Sequence, residues 1–332
     1  MKALITGANG IVGSATLSGL SDRGIECIGL VRKTSDLSNL EGLNPELRYG
    51  SLLEEDSLAL AMEGCDAVVH CAARVSDWGT AEEFHRDNVE GVRTVLKAAQ
   101  RSKVRKVVHI STLNAAGYGI RNMTENMYQE LRWKYSSSKR EGERVALAEG
   151  KERGIEVVVL RIGAVYGPGD WKFSFNMAKF IMRGRWFVLS RGRAVFTPSY
   201  IGNIIDAVYL ALQKPSGGKI YNITDDASVS WMEFSRMFAS ALGVPLKVRS
   251  IPTSLAIAAA YVSEGFAKLL RRKTAPLLTT YRVTRASRDF HYSCERAKRE
   301  LGYRPDPDIE AHLRATVRWC CEKLDCSRGR EA

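Results

Sequence analysis

Apolar, β-rich runs alternate with helical patterns through the first two-thirds of this 332-residue chain. Runs at 2–6, 26–31, 47–49, 66–71, 105–111 and 155–161 predict strands, and stretches at 11–23, 55–62, 81–101 and 133–153 predict helices. Such alternation predicts an α/β fold, a doubly wound parallel sheet covered by helices on both faces. Ligands then bind outside the C-terminal strand ends. After Tyr166-Gly-Pro-Gly-Asp170 the pattern loosens. Helical stretches at 172–183, 202–213 and 230–242 with a few short strands predict a smaller second lobe, so the expected division is 1–170 and 171–332. Residues 195–213 are expected to pack back on the first domain.

The first strand turns abruptly into a helix through Gly7, Gly10 and Gly13. Glycines there let the chain turn tightly, approach a pyrophosphate and pack the helix on the strand. The helix N-terminus then offers free N–H groups to phosphate. An acidic residue ending the second strand would suit the ribose 2′-hydroxyl of NAD. This chain has Val31-Arg32-Lys33 instead, and basic groups suit a 2′-phosphate, so NADP is the expected cofactor. Asp66-Ala-Val-Val-His-Cys71-Ala72-Ala73 is another strand end, with small residues where a cofactor could pass.

Composition narrows the class. At 45% hydrophobic and 26% charged, the chain suits one large or two modest globular domains. The first strand and its turn start at once, so no leader is expected. Seven cysteines match no metal spacing, no metal site is expected, and a reduced, cytoplasmic chain is the simplest account. The net charge of +12 is uneven: residues 268–304 hold eleven Lys or Arg against three Asp or Glu. Nucleic acid is a poor use of that charge, since no nucleic-acid-binding motif accompanies it. Just before it, 254–270 is apolar and ends in Arg271-Arg272-Lys273, too short and too interrupted to span a bilayer. It reads either as a helix packed on the core with a solvated basic flank, or as one lying peripherally on an anionic membrane.

Tyr135 and Lys139 lie four residues apart on an expected helix, hence on one face. A cation beside a phenol lowers its pKa from about 10, giving a usable acid or base. The strand at 105–111 should place Ser111 and Thr112 at the mouth of the sheet, where a hydroxyl can meet a substrate carbonyl. Asn88, on a helix, is a candidate contact under the site.

Thr6-Gly-x-x-Gly-x-x-Gly13, His70-x-Ala-Ala73, Asn88-Val-Glu-Gly91, Ser111-Thr112, Tyr135-x-x-x-Lys139 and Arg161-x-x-x-Val-Tyr-Gly-Pro-Gly169 occur in that order. Jointly they resemble the extended short-chain dehydrogenase/reductase family, also called the NAD-dependent epimerase/dehydratase family, and within it the 3β-hydroxysteroid dehydrogenase-like branch. Ser76-Asp-Trp-Gly79 and the apolar helix with its basic end suggest bacterial members, including reductases of long-chain 2-alkyl-3-ketoalkanoates. The resemblance implies a Rossmann-type fold with a C-terminal substrate-binding lobe, and a homodimer through 81–101 and 133–153. It implies Tyr135 as general acid/base, Lys139 lowering its pKa and holding the nicotinamide ribose, and Thr112 at the active-site serine position. Cofactor contacts are implied for Gly7, Asn9, Gly10, Ile11, Val12 and Gly13, for Ser51 and Leu52, and for Cys71, Ala72, Ala73, Ile162 and Val165.

Two departures matter. Where many relatives carry an acid after the third strand, this chain has Gly50-Ser51-Leu52, so adenine binding there would rely on Ser51 or backbone. Leu113-Asn114 replaces the Asp-Glu of sugar-nucleotide dehydratases, which argues against water loss. The expected activity is NADP-preferring exchange between a hydroxyl and a ketone on a hydrophobic, sterol-like or long-chain substrate. Trp78, Trp171, Phe173, Phe175, Trp186 and Phe187 could line its pocket. The alternative is a nucleotide-sugar epimerase, with Arg183, Arg185, Arg191 and Arg193 on the diphosphate. A third reading is a dinucleotide-binding regulator without catalysis.

Overall fold

The computed structural model describes residues 1–272 and 274–328, with side chains to 324; Lys273 and the Cys326 side chain lie outside the described residues. The strands are β1 (Lys2–Thr6), β2 (Glu26–Val31), β3 (Glu46–Tyr49), β4 (Ala67–His70), β5 (Lys106–Thr112), β6 (Glu156–Ile162), β7 (Ala164–Tyr166), β8 (Trp186–Leu189), β9 (Val195–Phe196), β10 (Pro198–Tyr200) and β11 (Lys219–Ile223). Two short ones follow, β12 (Val229–Ser230) and β13 (Val248–Ile251). Seven of these form one parallel sheet in the order β11-β6-β5-β4-β1-β2-β3.

Alternate residues of each strand face opposite sides of a sheet. Ala3 and Ile5 of β1 face a core built from α1 (Ile11–Ser21) and, later in the chain, Ile204, Ala207, Val208 and Ala211. Leu4 faces the other core, with Leu58 of α2 (Glu55–Ala61) and Val92, Val95 and Val145 from later helices. Both faces are therefore apolar, which is why these strands read as near-continuous hydrophobic runs.

The stretch 81–101, expected as one helix, is α3 (Ala81–His85), a π turn (Arg86–Glu90) and α4 (Gly91–Arg101). Thr80 starts α3 with a capping box to Glu83. A π turn carries one extra residue and swells the helix. Here it brings the Asn88 carbonyl so close to α5 (Lys134–Glu152) that a Cβ on Gly142 would lie 2.4 Å from it.

Beyond residue 170, α6 (Ser174–Met182) joins a third core around Phe196, Phe234, Phe238 and Leu313. Helix α7 (Ile201–Gln213), within the segment expected to pack back, lies on α1, and β11 adds the seventh strand to the main sheet. The second lobe is completed by α8 (Trp231–Ala241), α9 (Thr253–Leu269), α10 (Thr280–Ser287) and α12 (Ile309–Arg328), whereas α11 (Glu295–Leu301) sends Ala297 and Leu301 into the main-sheet core of α1 and α7. Helix α9 meets α10 through Ala256, Ala260 and Val283, with Ile257 packed alongside, and the fully buried residues of α9 are all alanines.

Candidate active site

The strand order reverses between β1 and β4, and a crevice forms there at the C-terminal strand ends. Thr6 and His70 face each other across it: their side chains hydrogen-bond at 2.8 Å, and Thr6 Oγ1 accepts from the Ala72 N–H at 3.2 Å. Gly7 has φ +66°, and a Cβ there would meet the Ala72 backbone at 2.8 Å. A Cβ on Gly13 would lie 2.1 Å from the Gly7 carbonyl oxygen, so the third glycine lets helix and strand pack. Gly10 is exposed, and its Cβ direction is open apart from the Gly7 carbonyl oxygen at 3.4 Å. It is the N-cap of α1, no side chain caps that helix, and its first turn holds no acid. The space and the donors therefore face the same way, towards an anion.

Around this turn Ile11 and Val12 are half-buried. The Asn9 amide donates to the Asp36 carbonyl at 3.1 Å, and Asn39 donates to the Asn9 carbonyl at 3.2 Å, tying the loop after β2 to the turn. Arg32 and Lys33 are exposed at the end of β2, with no acidic partner among the described residues. Cys71, Ala72 and Ala73 are half-buried in the crevice wall after β4. Burial pushes the Cys71 thiol up to about 12, against the pull of Lys139. Ile162 is buried and faces Thr112 in register, with half-buried Val165 just after it. The Ser51 hydroxyl accepts from the Leu53 N–H at 3.3 Å, so it is engaged locally.

The residues expected to react converge at the ends of β5 and the start of α5. Ser111 and Thr112 part company there. Ser111 donates to Glu143 at 2.5 Å, inside a buried network in which Arg161 pairs with Glu143 at 2.7 Å and contacts the Tyr128 hydroxyl at 3.0 Å. Thr112 instead accepts from the Asn114 N–H at 3.3 Å, and its hydroxyl lies near enough to the Tyr135 phenol to pull its pKa down. Asn88 accepts from the Arg74 N–H at 2.7 Å and donates to Ser138 at 2.9 Å. Ser138 in turn donates to the Tyr135 carbonyl at 2.9 Å. The π turn thus braces the first turn of α5, beneath the site rather than in it.

Tyr135 is 9% exposed, and burial raises its phenol above the ordinary value. Tyr281 raises it further, while Arg285 and Thr112 pull it down. The downward pull expected from Lys139 is thus supplied here by Arg285 and Thr112. Lys139 shares the helix face, but its ammonium reaches under the site to the Ile110 carbonyl at 2.8 Å. Burial pushes that ammonium down to about 8, opposed by Glu143 and Cys71.

Tyr135 opens on a cavity of about 820 Å³ whose wall includes Trp78, Phe84, Trp133, Tyr281 and the end of α9. Trp78 is held there by a bond from its indole N–H to the Arg272 carbonyl at 2.9 Å. The other aromatics expected at the pocket are elsewhere. Trp171 and Phe175 meet Trp319 edge-on, at 4.9 and 6.1 Å, and Trp171 also donates to Asn39 at 2.9 Å. Phe173 packs on Phe234 and Trp186 donates to Ser235, so these two and Phe175 lie in the third core. Phe187 is exposed. Large side chains at helical spacing were filling that core, which composition alone does not distinguish from a pocket. Arg183, Arg185, Arg191 and Arg193 are exposed and do not line the cavity.

No motif or spacing pointed to α10 at the site. Asn114 donates to the Tyr281 hydroxyl at 2.9 Å, and Tyr281 meets Trp133 edge-on at 5.1 Å. Arg285 lies over the Tyr281 ring at 5.9 Å. These residues are far from Tyr135 in the chain and carry no motif.

Residues 3–224 match the family described as NAD dependent epimerase/dehydratase. The chain belongs to that family. It is an NAD(P)-dependent oxidoreductase of the extended short-chain dehydrogenase/reductase type. It is 30% identical over 308 residues to a 4-hydroxy-2-methyl-3-oxo-4-farnesyl-3,4-dihydroquinoline-1-oxide ketoreductase of Stigmatella aurantiaca, covering 91% of this chain and 92% of the relative. It is 27% identical to a 2-alkyl-3-oxoalkanoate reductase of Stenotrophomonas maltophilia, covering 95% and 98%. In fold it matches UDP-glucose 4-epimerase of Thermotoga maritima with a TM-score of 0.80 at 20% identity, over 98% of this chain and 100% of that one.

Proposed function

We propose that this enzyme reduces a ketone on a hydrophobic, long-chain or sterol-like substrate, preferring NADPH. The observation that carries the reading is Tyr135 at the cavity wall with Thr112 beside it and Lys139 buried below. The residues present fit a dinucleotide, because Gly7 and Gly13 admit only close backbone and Gly10 leaves the N-terminus of α1 open. Gly7, Gly10, Ile11, Val12 and Gly13 would hold the pyrophosphate, and Lys139 the nicotinamide ribose. The nicotinamide supplies or accepts the hydride.

The raised pKa keeps the Tyr135 phenol protonated at neutral pH, the form that can donate to a carbonyl oxygen as it gains charge. Thr112 donates a second hydrogen bond to that oxygen. Arg285 favours the phenolate left behind. Oxidation of the alcohol is the reverse and needs the phenolate first, so it gains with rising pH. Arg32 and Lys33 support the NADP preference, because two unpaired cations stand where a 2′-phosphate would lie. The names of the two reductases above support a ketone borne on a long or prenylated chain.

The nucleotide-sugar alternative loses its diphosphate ligands, since the four arginines between 183 and 193 lie away from Tyr135. Purified enzyme with NADPH, scanned against long-chain 2-alkyl-3-ketones, decalin-ring ketones and UDP- and GDP-sugars, tests the reading. Ketone-dependent NADPH oxidation is expected. Turnover of a nucleotide sugar without net cofactor consumption would overturn it.

A further inference from the structure

We propose that the outward face of α9 and the basic turn after it dock this enzyme on an anionic lipid bilayer. The helix is built inside out for a helix facing water. Ala256, Ala260 and Ala267 face the protein. Leu255, Tyr261, Val262, Phe266, Leu269 and Leu270 are between 61% and 78% exposed, and Leu277 follows at 83%. Leu255, Val262, Phe266 and Leu269 recur at helical spacing on one stripe, so this is a continuous apolar face rather than scattered residues. No helix among the described residues is long and apolar enough to cross a membrane, so the face can lie only along a surface.

Charge identifies the occupant. Lys268, Arg271 and Arg272 are exposed at one end of the stripe. The single acid of α9, Glu264, turns inward and accepts from the Thr280 N–H at 2.7 Å and its hydroxyl at 3.0 Å. A face with three cations and no acid matches anionic headgroups. A two-fold contact with a second copy would present the same face to itself and leave those cations without a partner.

The docking face is continuous with the catalytic cavity. Ala267, Lys268, Arg271 and Arg272 line the cavity that holds Tyr135. A docked enzyme would open this cavity at the headgroup level, where a water-insoluble ketone is concentrated. That entry route rests on the function proposed above, whereas the docking itself does not.

Co-sedimentation of the full chain with vesicles of phosphatidylcholine, or of phosphatidylcholine mixed equally with phosphatidylglycerol, tests the proposal. Binding to the mixed vesicles is expected, weakening as salt is raised. Arg271→Gln with Arg272→Gln should weaken it about 30-fold, from two lost headgroup contacts. Val262→Ser with Phe266→Ser should weaken it at least about 10-fold, from lost apolar burial. Neither Val262 nor Phe266 lines the cavity, so that variant should keep wild-type turnover of a short, water-soluble ketone. No sedimentation with mixed vesicles, or equal binding by wild type and both variants, would overturn the proposal. So would a dimer that Val262→Ser with Phe266→Ser dissolves in the absence of lipid binding. If no ketone is reduced at all, the proposed function fails while the vesicle result stands unaffected.

Discussion

Ser111 and Glu143 form a buried hydrogen bond of 2.5 Å that turns Ser111 away from the cavity and leaves its neighbour Thr112 facing Tyr135. Two adjacent hydroxyls thus do different work. Thr112→Ala should lower kcat/KM by about 10²-fold through loss of a donor to the developing alkoxide. Thr112→Ser should restore most of it. Ser111→Ala should leave turnover within a few-fold of wild type but cost about 1–2 kcal/mol in urea unfolding, because Glu143 loses a buried donor while keeping Arg161. Equal kinetic loss in both alanine variants would contradict this division.

Lys139 should cost stability in exchange for function. Its folded pKa, about 8, lies below the ordinary 10.5. Between those values the unfolded chain binds the proton and the folded chain does not, so this group's contribution to stability rises with pH from about 8 to 10.5. Below about 8 the cost of burying the charge is felt in full. That fall corresponds to roughly 3 kcal/mol. Lys139→Met should therefore be more stable than wild type at pH 7, by up to roughly that amount, and inactive. Its advantage should shrink as pH rises above 8. Urea unfolding across that range measures it, and a destabilised variant at pH 7 would contradict the assignment.

The parallel sheet was legible because its strands are buried on both faces, and helices between them fill two distinct cores through alternate residues such as Ile5 and Leu4. The glycine turn and the Tyr135–Lys139 spacing were legible because a short local geometry demands them. What distance along the chain brings together was not. Glu143, Arg161 and Ser111 read as unrelated polar residues until folding buries them as one network. Tyr281 and Arg285 reach Tyr135 only through the tertiary placement of α10. The π turn at Asn88 has no periodicity signal, since one added residue leaves the apolar pattern helical. Hydrophobicity also carries no direction: the sequence shows that α9 is apolar but not that its large side chains face outward.

Arg32 should set cofactor choice. It is exposed at the end of β2 with no acidic neighbour bound to it among the described residues. Arg32→Ala should raise the Kd for NADPH about 10-fold and leave NADH nearly unchanged, as read by fluorescence titration, because only the 2′-phosphate carries the added charge. Equal losses on both cofactors would remove Arg32 from that role.

Tyr135→Phe tests the central claim most directly. The phenol sits at the cavity wall with Thr112 beside it, and the ring is 9% exposed, so removing the hydroxyl leaves the packing in place. Ketone reduction with NADPH should fall by at least about 10³-fold in kcat, with the NADPH Kd changed less than a few-fold. Turnover equal to wild type in Tyr135→Phe would contradict the assignment of Tyr135 as the proton donor.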